Sequence, residues 1–419
     1  MNLLIYGLNY APEPTGTGKY TGEMAEWLAQ RGHEVDAIVA PPYYPEWRIG
    51  DEYKDKGFFE EMINGVHIYR SPLYVPAADN ISAGTRIRLE SSFSFNSLRW
   101  GIPRFFSQKY DAVIAVCPPL QAGVYPWLYS RLRGVPWVFH IQDLQVDAAI
   151  RLDMLKSGLA GKVLYKIENS LLNLATRVST ITEAMRQRII AKGVPDNKTW
   201  LFPNWSDIDF IRPLSRENRF RQELGLGKNA VLIMYAGNIG EKQGLELIVQ
   251  AADRLRNNDK LYFLMVGAGA AKLRLEGLAK QMDLENLRFL PVQPFERLPE
   301  MLAAADIHLV VQKREAADIV MPSKLTNILA AGRPCIATAD PWTTLYEVVD
   351  SYETGLVCPP EELEHFTDSI KKLAEEGELR RKMGENARKY AEQWLSKDYI
   401  LEDFESRLLE LINQKGGEK

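Results

Sequence analysis

The chain has 419 residues, 46% hydrophobic and 25% charged, a balance that excludes a predominantly disordered protein. Its length exceeds the roughly 250–300 residues at which one core stops growing, so two domains are expected. With 51 basic and 55 acidic residues the net charge is −4, which excludes a nucleic-acid partner held by overall charge and leaves only local anion sites. Three widely spaced cysteines, Cys117, Cys335 and Cys358, offer neither a disulfide framework nor a metal pair at ligand spacing, and they fit a reducing compartment.

The amino terminus runs straight into Leu3–Leu8 with no basic region and long apolar stretch before it, so no secretory signal is read and a cytoplasmic protein is expected. No run approaches the roughly 18 apolar residues of a membrane span, which leaves peripheral attachment to the inner membrane surface open. Short β-branched and aromatic runs alternate with longer helical patterns, the signature of parallel strands joined by crossover helices. Strands are predicted at Leu3–Leu8, Val35–Val39, Val66–Tyr69, Ala112–Cys117, Trp137–Ile141, Val178–Thr182 and Trp200–Phe202. A second series follows at Val231–Ala236, Tyr262–Val266, Leu287–Leu290, Ile307–Val311, Cys335–Thr338 and Gly355–Val357.

Each half opens with a strand, a glycine-bearing loop and an amphipathic helix. The first helix carries Tyr20, Met24, Trp27 and Leu28 on one face, and its counterpart carries Leu245, Val249, Ala252 and Leu255. The fold class is therefore α/β, with two Rossmann-like doubly wound domains. The turn-rich segment Phe202–Asp207, continuing to Arg212-Pro213, separates them. This gives a first domain over 1–205, a second over 206–390, and a terminal region 391–419 whose Leu401, Phe404, Leu408 and Leu411 form a helical stripe that must be buried.

Ligands of open α/β sheets bind beyond the carboxyl ends of the strands, so the loops there carry the candidate residues. In Tyr10–Lys19, Gly16, Thr17 and Gly18 would let backbone N–H groups approach an anion at a helix amino terminus, although a plain turn explains the same glycines. The spacing is neither GxGxxG nor a P-loop, which argues against a dehydrogenase or a nucleoside triphosphatase. At the end of the apolar run before it, His140 is placed to hydrogen-bond a sugar hydroxyl, with Gln142 and Asp143 beside an acceptor; a satisfied histidine capping a strand is the alternative. Gly237, Asn238, Lys242 and Gln243 form the second glycine loop, and Gly267 follows the next strand. In Val320–Asn327, Pro322 and Ser323 read as a helix start, so free N–H groups and the Lys324 ammonium would together hold a pyrophosphate. Basic and aromatic residues alternate over Arg86–Leu89 and Arg99–Tyr110, which suits either an anionic membrane surface or a partly buried helix pair.

Taken together, these loops, His140, the linker and the Pro322-Ser323-Lys324 segment resemble the GT-B glycosyltransferases of family 4 over nearly the whole chain. Within that family Met1–Val39, Ala40–Pro45, His140–Asp147 and Phe202–Ser206 look especially like the colanic acid fucosyltransferase group. The resemblance implies two domains facing a cleft, a nucleotide-sugar donor (GDP- or UDP-linked) as substrate with no cofactor, retention of configuration without a metal, and a terminal helix returning to the first domain. It also implies a polyprenyl-diphosphate-linked acceptor.

By position, Gly16, Thr17 and Gly18 would approach the donor phosphates and His140 the transferred sugar. The second half would supply Gly237, Asn238, Gln243, Gly267, Pro322, Ser323, Leu325, Thr326, Asn327 and Glu347 to the donor. His140, Lys242 and Lys324 are the expected catalytic set, with the two lysines stabilising the leaving diphosphate. Departures exist: Asn238 stands where the family has Arg, Gln243 where it has Lys, and Ile319 and Asn327 where it has a glutamate pair. Glu315 and Asp318 are the nearest replacements for that acidic role. A non-catalytic nucleotide-sugar-binding scaffold and a phosphorylase-like enzyme on the same plan are the alternatives.

Overall fold

The computed structural model describes residues 1–14, 16–77, 80–107, 109–146, 159–314 and 322–416. The chain forms two compact units, one of Met1–Pro203 with Leu401–Lys419 and the other of Asn204–Ile400.

The first unit is built on an eight-stranded sheet. Its strands are β1 (Asn2–Gly7), β2 (Glu34–Val39), β3 (Phe59–Ile63), β4 (Val66–Arg70), β5 (Ala112–Cys117), β6 (Trp137–Ile141), β7 (Arg177–Thr180) and β8 (Thr199–Leu201), in spatial order β3-β4-β2-β1-β5-β6-β7-β8. β1 lies at the centre, with Leu3 facing Val35 on one side and Ala112 on the other, so Leu3, Leu4 and Ile5 are covered on both faces. The helix Gly16–Gln30 buries the expected Tyr20, Met24, Trp27 and Leu28.

The pairing of β3 with β4 is antiparallel, and β3 is absent from the predicted strands. Its signal was Asn64-Gly65, whose φ values of 48° and 84° make the tight turn that a two-residue hairpin requires. The terminal helix Lys397–Gly416 completes this unit: Leu401, Phe404 and Leu408 are buried, and Phe404 stacks on Phe202 at 4.0 Å between ring centroids. Glu405 fastens the same helix to His33 at 2.6 Å and Arg31 at 3.2 Å.

Among the described residues the second unit has six strands, all parallel: β9 (Val231–Ala236), β10 (Leu261–Val266), β11 (Leu287–Leu290), β12 (Ile307–Val310), β13 (Cys335–Thr338) and β14 (Gly355–Cys358), in spatial order β11-β10-β9-β12-β13-β14. Leu245, Val249, Ala252 and Leu255 pack into the core on one side of this sheet, as their spacing predicts. Asp306, just before β12, accepts from the Leu232 amide at 2.8 Å and pairs with the buried Arg221 at 3.0 Å, anchoring the amino-terminal edge of the sheet. Arg216 adds a second contact to the same carboxylate.

One ion pair of the first unit is fully internal: Lys192 meets Glu168 with both side chains 4% exposed. Removing one member leaves the other charge in a low-dielectric site. Lys192→Met is expected to destabilise the protein by about 3–5 kcal/mol in urea unfolding, whereas Lys192→Met with Glu168→Leu recovers most of that loss.

Candidate functional site

The carboxyl ends of β9 and β10 are locked together by their glycines. Gly237 N–H donates to the Val266 carbonyl at 2.9 Å, Ile239 N–H to Ala268 at 2.8 Å, and Ala271 N–H back to Ile239 at 3.0 Å. A Cβ on Gly267 would stand 1.9 Å from the Gly237 oxygen, and its φ of 155° is one that side chains rarely adopt, so only glycine fits. The loop then turns through Gly240 into the short turn Glu241–Gln243 and the helix Glu246–Arg254. Tyr235 donates its hydroxyl to the Asn238 carbonyl at 2.7 Å, and the side-chain oxygen of Gln243 is buried without a partner.

The helix Ser323–Ala330 brings its amino terminus to this loop. Pro322 occupies the N-cap with φ −58° and ψ 126°, no side chain caps the helix, and its first turn has no acidic residue, so nothing in that turn neutralises the positive end of the dipole. Lys324 lies half-buried on the same turn. Its Nζ sits 3.8 Å from the centre of the Tyr235 ring and 3.2 Å from where a Gly237 Cβ would be. Burial alone lowers this lysine from 10.5 to about 7, and among the described residues no carboxylate offsets it. Ser323 is exposed, whereas the Leu325 and Thr326 side chains are buried in the unit, so these two offer the site only backbone. Asn327 accepts from the buried Ser206 hydroxyl at 3.0 Å, an attachment the sequence reading did not anticipate for a ribose ligand. Glu347 is exposed in the turn Glu347–Ser351.

In the first unit, the loop after β1 is organised by Glu13. Its carboxyl is 4% exposed and accepts from Asn9 at 3.0 and 3.2 Å and from the Tyr43 and Tyr44 amides, both at 3.2 Å. Burial, outweighing these hydrogen bonds and the Arg70 charge, pushes it up to about 7. A Cβ on Gly18 would lie 2.2 Å from Glu13 Oε2, so Gly18 is glycine to admit that carboxyl; the expected approach to phosphate falls to the exposed Gly16 and the partly exposed Thr17. His140 is likewise internal: 2% exposed, with Nδ1 at 3.0 Å from Ser179 Oγ, Nε2 accepting from the Gln142 amide at 3.1 Å, and the ring edge-on to Phe202. Burial lowers it to about 3, so it is a neutral imidazole and does not project outward as the sequence reading had it. Gln142 is buried beside it and Asp143 is exposed.

The family model described as Glycosyl transferase 4-like domain matches residues 15–205, and that described as Glycosyl transferases group 1 matches residues 216–390. Over 412 residues the sequence is 42% identical to the protein named "Putative colanic acid biosynthesis glycosyl transferase WcaI" of Escherichia coli (strain K12), covering 96% of this chain and 98% of the relative. The chain belongs to the GT-B glycosyltransferases of family 4. The fold agrees: a sucrose-phosphate synthase from Thermosynechococcus elongatus superposes with a TM-score of 0.75 at 18% identity, covering 99% of this chain and all of that one. HepE of Anabaena, solved in complex with UDP, gives a TM-score of 0.70 at 16% identity over 98% of this chain and 100% of its own.

For this glycosyltransferase the structure brings Gly237, Asn238, Gln243, Gly267, Pro322, Ser323 and Lys324 to one end of the second sheet. The Lys242 side chain lies outside the described residues, as do Glu315, Asp318, Ile319 and Asp147. Sequence reasoning missed Glu13 and Tyr235; the first was visible only as an acid within a proline-rich loop, and the second as an aromatic at a strand end. Lys324 provides a test. A lysine lowered in the folded state binds fewer protons than its unfolded counterpart between pH 7 and 10.5, so stability from this group rises with pH across that window. Lys324→Met is expected to flatten that part of the stability profile measured by urea unfolding.

Proposed function

We propose that this glycosyltransferase moves a sugar from a nucleoside-diphosphate donor held by the second unit, with retention and without a metal, to a polyprenyl-diphosphate-linked acceptor in exopolysaccharide assembly of the colanic acid type, with GDP-fucose as the donor. The observation that carries this reading is Lys324: an ammonium lowered by burial, with no carboxylate partner among the described residues, at an uncapped helix start and against a glycine that makes room for it. Such a position is costly for a cation alone and favourable once a dianion shares it. The names and bound nucleotides of the relatives motivate the pathway and the donor class.

In the proposed reaction the bond from the anomeric carbon to the diphosphate breaks, and charge grows on the departing phosphate oxygen. Lys324 and the amides of Ser323 and Lys324 stabilise that charge, with Lys242 as a second cation. The acceptor hydroxyl attacks from the same face and passes its proton to the leaving oxygen. Gln243 offers an unsatisfied acceptor to a donor hydroxyl, Gly267 and Asn238 shape the phosphate cradle, and Glu347 is assigned to the nucleotide end. Neutral His140 positions through Gln142 and Asp143 rather than acting as a base, because burial that lowers it to about 3 leaves the imidazole a poor proton acceptor.

A thermal-shift panel of GDP, UDP and their sugars tests the donor: the wild type is stabilised by GDP and GDP-fucose, and Lys324→Met loses most of that response together with about 10²–10³-fold in transfer rate. Silence towards every nucleoside diphosphate overturns the reading.

The acceptor implies contact with the cytoplasmic membrane surface, where the protein acts as a peripheral one. No helix of the described residues is long and apolar enough to cross a membrane. The helices Ala83–Asn96 and Leu98–Ser107 expose Ile87, Phe95, Ile102 and Phe106 alongside Arg86, Arg88 and Arg99. Arg104, Trp100 and Tyr110, counted with that surface from sequence, instead point inward: Arg104 meets the Tyr110 hydroxyl at 3.0 Å, and Trp100 donates to the Arg70 carbonyl at 3.1 Å. In flotation with anionic vesicles at low salt the wild type rises with the lipid, and Phe95→Ser with Phe106→Ser stays below; equal flotation of both removes this docking face.

A further inference from the structure

At the opposite end of the second unit's sheet from the glycine loops lies a cavity of about 510 Å³. Asp306 and Pro334, the residues that precede β12 and β13, mark its position at the amino-terminal edge. Its walls carry Arg216, Arg333, Arg380, Arg388 and Lys389, together with Arg381, which is paired with the lining carboxylate Glu385. Three glycines, Gly332, Gly377 and Gly384, leave its lining free of side chains there. The size suits a small molecule rather than a lone ion.

The cations are not all spoken for. Asp306 is occupied by Arg216 and Arg221, and Arg388 pairs with Glu392 at 2.7 Å while holding three backbone carbonyls. Arg333 and Arg380, in contrast, have no carboxylate within ion-pair distance among the described residues. Arg333 spends one nitrogen on the Leu214 carbonyl at 2.9 Å, and its Nε is buried with no partner. Arg380 reaches the Leu373 and Ala374 carbonyls. Burial pushes these two guanidiniums down, and the neighbouring Arg216 adds to it, against the opposing pull of the Asp306 carboxylate, which lies beyond ion-pair distance of both and is already held by Arg216 and Arg221. A buried guanidinium donor left unmade is costly, and an oxyanion is the partner its planar fork fits.

We propose that this arginine-lined cavity is a second anion site, separate from the donor site, that binds a phosphate-bearing small molecule through Arg333, Arg380 and Lys389. The helix Ser323–Ala330 carries Lys324 at its start and leads through Gly332 to Arg333, so the two sites lie at opposite ends of one helix.

Inorganic pyrophosphate serves as the probe, titrated calorimetrically into the full-length chain carrying Lys324→Met, which separates this site from the one proposed for the donor. Binding is expected to persist there and to weaken at least about tenfold with Arg380→Gln and again with Lys389→Glu, an exposed position whose reversal leaves the core untouched. Flotation with phosphatidic acid vesicles separates a lipid headgroup from a free phosphate: loss of flotation in Arg380→Gln assigns the site to headgroups, and unchanged flotation with weakened pyrophosphate binding assigns it to soluble ligands. The proposal is overturned if about 10 mM pyrophosphate gives no heat in the Lys324→Met chain and flotation is indifferent to Arg380→Gln, or if binding is unaffected by both charge changes.

Discussion

The second unit depends on a contact between two backbones. Gly237 and Gly267 approach so closely that any side chain on the latter would overlap the former's carbonyl, and this closeness holds the ends of β9 and β10 in register. With those ends fixed, the space above Gly237 is left to the Lys324 ammonium and the Tyr235 ring. This cation is held over an aromatic face and beside the positive end of a helix, with no carboxylate partner among the described residues, an arrangement that favours an anion as neighbour. The position of the Lys324 charge is thus set by main-chain geometry.

Most of the architecture was legible because a parallel sheet covered on both faces writes itself as short, near-continuous apolar runs, and Leu3–Ile5 and Ile233–Tyr235 read that way. β3 escaped notice because it lies at an edge, where burial alternates and Phe59–Ile63 mixes two glutamates with apolar residues. Pro322-Ser323 was legible as a helix start because a proline fixes a dihedral wherever it stands. The surroundings of His140 and Gly18 were not, since each depends on a partner distant in sequence or on a loop's path: Ser179 for the first, Glu13 for the second. Asn327 is a similar case, as its partner Ser206 lies 121 residues away.

The two units handle buried polar groups differently. In the first, Glu13 and His140 are enclosed and hydrogen-bonded, with burial favouring the uncharged form of each, so that region presents shape and hydrogen bonds more than charge. In the second, Lys324 at one end of the sheet and Arg333 at the other have no carboxylate within ion-pair distance among the described residues, and burial lowers both.

The last helix has a bearing on how the molecule is made. Phe404 stacks on Phe202, and Leu408 fills the same core, yet some two hundred residues of another folding unit separate these partners along the polypeptide. During synthesis from the amino end, the earlier unit waits with an open apolar seam until nearly the entire chain has emerged, while the intervening one can close by itself. Assembly is therefore nested, and a ribosome stalled before Leu401 would release a protein whose later half is finished and whose earlier half is not.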